Sequence, residues 1–253
     1  MKPHFAILLA ALVCGAPSPG FAGSTGEEPR QGEEEQVIEY LRDHPEFLID
    51  HPEFLQRTNA LRQQAEGQAQ LEQRLALIRA QEDSLFRSEW TPVRGNPEAP
   101  YTLIEFSDYQ CVPCKRSFPA IESFMEKQEN VRLIQLQLPI YGPYSTMAAR
   151  AALISNKLGD FGEYHSAMMQ TPNPVGLESI EAALQVAGVS ADEFSALMNE
   201  SELADYLKAV KEFSIATNVL GTPAFLLNGV LLNGAVTEDG LDDAMAQLMQ
   251  QGN

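Results

Sequence analysis

Two cysteines three positions apart, Cys111 and Cys114, with Val112 and Pro113 between them, are the residues of this sequence best suited to chemistry. A thiolate is the nucleophile in disulfide exchange, so a working pair needs one sulfur whose ionisation is assisted and a second within bonding reach. Cys111 stands where a strand-like run, Tyr101 to Phe106, gives way to a helical pattern. The start of a helix favours negative charge there, which makes Cys111 the attacking sulfur and Cys114 the resolving one. A static disulfide competes with this reading, but closing so short a loop constrains the unfolded chain little. Half of a zinc site also competes, yet beyond the leader only His44, His51 and His165 could complete it, so neither metal nor cofactor is expected.

Two further positions belong with the sulfurs. Gly221-Thr222-Pro223 precedes a strand-like run, Ala224 to Asn228, and puts a proline at the first residue of a strand, where a missing N–H is tolerable. If that peptide bond is cis, the Thr222 backbone is open to pair with an incoming extended chain. Thr222 and Pro223, with Val112 and Pro113, are therefore the expected substrate-facing set. Glu105 lies within the apolar run Leu103 to Phe106, where a buried carboxylate is costly. It is either a proton acceptor for Cys114 or a solvated residue at a strand edge.

The elements that must position these residues can be read from periodicity. A strand (Tyr101 to Phe106), a helix (Cys111 to about Lys127) and a strand (Val131 to Leu138) come first. A helical stretch from Ser145 to about Asn218 follows, broken at Gly159, at Thr171 to Gly176 and at Gly188. Two short strands (Ala224 to Asn228, Val230 to Asn233), turned by Asn228-Gly229, and a helix from Glu238 complete the pattern. A strand-helix-strand opening and a hairpin-helix close are what an α/β sheet of the thioredoxin type requires, with residues 145–218 as a helical insertion.

Upstream, residues 1–22 combine Lys2, an apolar run from Phe5 to Val13 and Gly20-Phe21-Ala22, the pattern of a cleaved export signal. That run is too short to span a bilayer, and Cys14 would leave with it. Residues 23–32 are Gly, Glu and Pro rich and read as a disordered leader. Residues 33–89 read as a helical extension and a candidate oligomerisation element, with Leu71, Leu75, Ile78 and Leu85 spaced as a seam that either packs on its own domain or associates with another copy. Within it Asp43-His44-Pro45-Glu46-Phe47-Leu48 recurs as Asp50-His51-Pro52-Glu53-Phe54-Leu55, read as two helix starts with Asp as N-cap rather than as paired metal ligands. A breaker-rich segment from Trp90 to Pro100 separates this extension from residues 90–253.

The 253-residue chain is 44% hydrophobic, enough for one good core, and carries 17 basic against 35 acidic residues, a net of −18. Such a balance argues against nucleic acid or anionic lipid as a partner.

From Val93 onward the sequence resembles the DsbA-like branch of the thioredoxin superfamily. The resemblance rests on Val93-Arg94-Gly95-Asn96-Pro97, on Glu105-Phe106-Ser107-Asp108-Tyr109-Gln110-Cys111 with Cys114-Lys115-Arg116, on Leu138-Pro139-Ile140 with Gly142-Pro143 and Ser145, and on Gly221-Thr222-Pro223-Ala224-Phe225. It implies a helical insertion in the sheet, a cis bond at Pro223, Cys111 as an exposed nucleophile and Glu105 as a buried acid. It further implies a periplasmic protein that acts on unfolded or misoxidised exported proteins and is reset by a membrane redox partner of the DsbB or DsbD kind. The segment Val37 to Leu55 resembles the leading helix of copper-sensitivity-suppressor and Com1-like relatives, some of which oligomerise through such helices. Val112-Pro113 departs from the pairs found in the strong oxidants of the family, offering no side chain to stabilise a thiolate; a milder oxidant, or a protein kept reduced, is implied. Thr222 before the proline resembles the isomerase and reductase side. A peptide-binding chaperone module that keeps the platform without redox turnover is the reading from another class.

Overall fold

The structure, a computed structural model, describes residues 31–251. The expected signal (residues 1–22) and most of the leader lie outside the described residues, and Gln31 and Gly32, expected in the leader, already begin a helix. The described chain divides into two compact units between Leu61 and Arg62.

The first unit contains α1 (Gln31–Asp43), α2 (Glu46–Asp50) and the start of α3 (Pro52–Gln81). The repeat does interrupt the helix twice, but not by aspartate capping. Asp43 and Asp50 are the last residues of α1 and α2, and Pro45 precedes α2 without any side-chain cap. The physical cause is proline: it disfavours helical geometry in the residue before it, so each helix runs through its Asp and breaks at the following His-Pro. The histidines then take the local role, His44 Nδ1 donating to Glu46 at 3.0 Å and His51 Nδ1 to Glu53 at 3.1 Å. Tyr40, His44, Phe47, His51 and Phe54 form a ladder of rings with centroids 4.5–6.1 Å apart.

The second unit is built on a five-stranded sheet of order β1-β3-β2-β4-β5. Strand β2 (Tyr101–Ser107) crosses through α4 (Val112–Lys127) to the parallel β3 (Val131–Gln137). Strands β4 (Ala224–Leu227) and β5 (Val230–Asn233) form a hairpin that joins the other side of β2. Asn228 and Gly229 both have positive φ, 44° and 82°, the tight turn that follows the natural twist of paired strands. Edge strand β1 (Val93–Gly95) pairs antiparallel with β3 inside the segment read as breaker-rich. Three residues between Pro92 and Asn96 are too few to show alternation, and only the pairing with β3 makes them a strand.

The insertion consists of α5 (Pro143–Leu158), α6 (Phe161–Gln170), α7 (Leu177–Val186), α8 (Ala191–Leu197) and α9 (Ser201–Ala216). Its breaks include the three expected, with a fourth at Met198 to Glu200 between α8 and α9. Alternation along the strands feeds two cores. Ile104, Phe106, Ile134 and Leu136 face one that includes the insertion helices, while Leu103, Leu133, Phe225 and Leu227 face α4 and α10 (Glu238–Gln251). The later part of α3 belongs to this unit. Leu71 and Leu75 lie over Gly229, Arg74 Nε donates to the Gly229 carbonyl at 2.7 Å, and Ile78, Leu85 and Phe86 are buried. The apolar seam is thus packed on its own domain.

Candidate active site

Cys111 is the N-cap of α4, in extended conformation, with Pro113 in the first turn where its missing N–H costs nothing. The amide of Cys114 donates to Cys111 Sγ at 3.1 Å. An N–H of the first helical turn therefore points at the sulfur expected to attack, the geometry that favours its thiolate. The two cysteines form a disulfide with Cα atoms 5.2 Å apart.

The expectation of an exposed nucleophile is corrected: in this disulfide state Cys111 is 1% exposed and Cys114 is fully buried, whereas Val112 between them is 53% exposed. Four hydrogen bonds tie the flanks of the pair to neighbouring segments. Asn173 Nδ2 donates to the Gln110 carbonyl at 2.7 Å, Gln110 Nε2 donates to the Tyr141 carbonyl at 3.1 Å, and Lys115 Nζ donates to Asn173 Oδ1 at 2.6 Å and to the Thr171 carbonyl at 2.5 Å. The turn between α6 and α7 is thereby strapped to residues on either side of the pair.

Phe106 pairs with Ala224 across β2 and β4, so Thr222 and Pro223 arrive at the end of β2 from which the chain enters the Cys111 loop. Cys111, Cys114 and Ala224 share one buried cluster. The Thr222-Pro223 bond is cis, as the resemblance implies. Pro223 is buried and its carbonyl accepts from Gly234 N at 3.0 Å, while Thr222 is half-buried. Around the sulfurs Val112, Ile140, Tyr141, Tyr144 and Leu220 remain exposed.

Glu105 is buried in β2, an interior strand, which removes the alternative of a solvated edge residue. Burial pushes its carboxyl up to about 7, against the opposing pull of a 3.0 Å hydrogen bond from Gln135 Nε2. The face of β2 that carries Glu105 also carries Leu103, which packs with Ile121 and Phe124 of α4.

Asp108, which the sequence offers only as one residue of a family phrase, is the clamp of the loop. Its carboxylate accepts from Gln110 N (2.7 Å), Ile140 N (2.8 Å), Tyr141 N (3.3 Å) and Ser145 Oγ (2.7 Å). Only the first of these is legible locally, as an Asp bonding two residues on just before a helix start. His165, one of the three histidines that could have completed a zinc site, has both ring nitrogens in hydrogen bonds to Tyr109 and Gln135. Among the described residues no group of His, Cys, Asp or Glu is placed to hold a metal, and no helix is long and apolar enough to cross a membrane.

The chain resembles known families from residue 30 to residue 247. A family model described as "Thioredoxin" matches residues 87–247, and one described as "Protein of unknown function, DUF484" matches residues 30–91. Na(+)/H(+) antiporter NhaA 3 of Salinispora tropica is 26% identical over 155 residues, covering 60% of this chain and 24% of the antiporter. The chain thus spans about a quarter of the length of that relative. Disulfide bond formation protein D of Bacillus subtilis is 20% identical over 170 residues, 61% of this chain and 75% of that protein. A linker-deletion variant of Proteus mirabilis ScsC shares 25% identity, covers 90% of this chain and 100% of its own, and superposes with a TM-score of 0.63. A thioredoxin-like oxidoreductase from Silicibacter pomeroyi shares 29% (66% and 97% covered, TM-score 0.62), and a periplasmic thioredoxin-like protein from Salmonella enterica serovar Typhimurium shares 28% (66% and 94%, TM-score 0.60). With a cysteine pair at the head of α4, the Thr222-Pro223 turn at the same end of the sheet and a family match over well over half its length, the chain belongs to the thioredoxin family.

Proposed function

We propose that this protein is an exported thiol-disulfide oxidoreductase that acts in the periplasm on unfolded or misoxidised proteins. The observation that carries the reading is the Cys114 amide directed at Cys111 Sγ on the helix start, with the Thr222-Pro223 turn at the same end of the sheet. In the oxidising direction a client thiolate attacks Cys111 Sγ. The Cys111–Cys114 bond breaks, a mixed disulfide forms, and Cys114 leaves as a thiolate that takes a proton from Glu105. A second client thiolate then attacks the client sulfur of the mixed disulfide, leaving Cys111 and Cys114 reduced. The reverse sequence reduces a client disulfide, with Glu105 taking the Cys114 proton. The exposed apolar rim of Val112, Ile140, Tyr141, Tyr144 and Leu220 suits clients that still expose apolar segments, which a folded protein would hide. Val112-Pro113 gives the thiolate only the helix start for support, so the protein is a mild oxidant.

Reset requires a membrane redox partner of the DsbB or DsbD kind. Residues 1–22 supply the export signal, in keeping with the periplasmic location of the Salmonella relative. Residues 33–89 contribute self-association, supported by the exposure of Val37, Ile38, Ile49 and Phe54 and by an apolar groove of about 450 Å³ lined by Val37, Tyr40, Leu41, Phe47, Leu48 and Phe54.

The test is insulin reduction and refolding of scrambled ribonuclease, with Cys111→Ser as control. Turnover is expected to fall to background in the variant. Equal activity of variant and parent overturns the assignment.

A further inference from the structure

Glu105 and Ser107 of β2 stand in register with Gln135 and Gln137 of β3, and all four polar side chains are buried. Gln135 Nε2 uses one hydrogen on Glu105 Oε2 (3.0 Å) and lies 3.1 Å from His165 Nε2 on α6. A carboxamide nitrogen only donates, so His165 Nε2 must be the acceptor and its ring proton sits on Nδ1. Nδ1 in turn donates to the Tyr109 hydroxyl at 3.0 Å. A continuous line of hydrogen bonds therefore joins Tyr109, two residues before Cys111, through His165 and Gln135 to Glu105, with the Gln135 carboxamide nitrogen donating to both His165 and Glu105. The imidazole cannot swing, because it stacks on Phe161 at 5.1 Å and meets Tyr109 and Phe118 edge-on.

We propose that Gln135, His165 and Tyr109 are positioning residues for Glu105, forming a neutral clamp that keeps one donor on the carboxyl so that it can both accept and return the Cys114 proton. The inference rests on the redox reading above. In the step concerned, Glu105 carboxylate takes the Cys114 Sγ proton and Cys114 attacks Cys111 Sγ in a mixed disulfide. The Cys111–Cys114 bond forms, the client–Cys111 bond breaks, and the client sulfur leaves as a thiolate and takes a proton from water.

What singles out this line is its lack of charge. A cation at the position of Gln135 would hold the carboxyl ionised and unable to return a proton. Burial keeps His165 neutral as well, its ring held down to about 3. Arg94 of β1 is the cation that acts on Glu105 and pulls its carboxyl down, as the Ser107 hydroxyl does, while Glu122 of α4, whose two oxygens bind Arg94 (2.5 and 2.7 Å), pushes it up; Phe225 of β4 is apolar, Gln137 is neutral, and burial outweighs these pulls.

The full chain tests the proposal through Gln135→Leu, Gln135→Lys, His165→Phe and Tyr109→Phe. Two readouts are followed against pH: the Glu105 carboxyl by carbon-13 NMR, and the rate at which Cys114 releases glutathione from a mixed disulfide on Cys111. Loss of the donor in Gln135→Leu is expected to move both midpoints up by about one pH unit, the size of one hydrogen bond to a charged group. His165→Phe, which removes the acceptor that orients the Gln135 carboxamide, and Tyr109→Phe, which frees Nδ1 so that the ring can carry its proton on Nε2 and repel the Gln135 N–H, move them up by less. Gln135→Lys moves them down. Unchanged midpoints in Tyr109→Phe, which deletes one oxygen, and in any folded His165→Phe would overturn the clamp while leaving the redox reading intact. Undiminished turnover in Cys111→Ser would instead remove the redox reading itself.

Discussion

The two units treat similar side chains in opposite ways. Between Gly32 and Leu61 no residue is fully buried, and Ile49 is 78% exposed despite belonging to the most commonly buried of side-chain types. From Arg62 onward the strands send alternate residues into two cores, so that Leu103 and Ile104, neighbours in sequence, are both fully buried on opposite faces. Burial needs a second layer to pack against. A sheet has two faces, and helices cover both, whereas three helical segments of thirty-odd residues cannot enclose a core alone. Apolar residues therefore build the core in one unit and stay at the surface in the other, which is what the proposed self-association draws on.

Several substitutions sharpen or break that contrast. Phe106→Ala, deep in the larger core, is expected to cost about 3–5 kcal/mol in denaturant unfolding; a loss no greater than that of Phe54→Ala would abolish the distinction. Next comes Glu105→Gln. The folded carboxyl titrates at about 7 against 4.5 unfolded, so the fold disfavours its charged form and stability is lost as pH rises through that window. The variant should match the parent below pH 4.5 and exceed it by roughly 3 kcal/mol at pH 8, because each pH unit between the folded and unfolded midpoints is worth about 1.36 kcal/mol. A constant offset at both pH values would contradict a buried, titrating carboxyl.

Smaller effects separate caps from look-alikes. Asp160 and Ser190 accept from the amides of Glu163 and Glu193, so Asp160→Ala or Ser190→Ala should cost about 1 kcal/mol. Asp43→Ala and Asp50→Ala, at helix ends where a negative charge gains nothing, should stay within about 0.5 kcal/mol in the same thermal melts. Ile49→Glu should leave stability alone and lower the sedimentation mass; an unchanged mass would withdraw self-association through that surface.

Much of the larger unit is legible in the sequence because local chemistry dictates it. Alternation marks β2 and β3, a short apolar run before a turn marks β4, glycines mark the breaks at Gly159 and Gly188, and Asn228-Gly229 marks the hairpin. The cysteine pair is legible for the same reason, since a strand running into a helix start is a local pattern. What escapes depends on partners far away in the chain. β1 exists only through β3, Gln110 beside Cys111 is held by Asn173 and Tyr141, and Gln135 meets His165 across thirty residues. Aspartate capping in the repeat fails because proline geometry, also local, outweighs it.

Gly229 carries two demands at once. Its backbone needs a φ of +82°, and a Cβ there would lie 3.0–3.1 Å from the side chains of Leu71 and Leu75. Turn and helix have thus been fitted to each other. A chain begun at Arg87, where the thioredoxin match starts, would keep every catalytic group yet strip the hairpin of its helical backing and leave the places of Ile78, Leu85 and Phe86 empty. Such a minimal enzyme should be less soluble and easier to unfold than its length suggests.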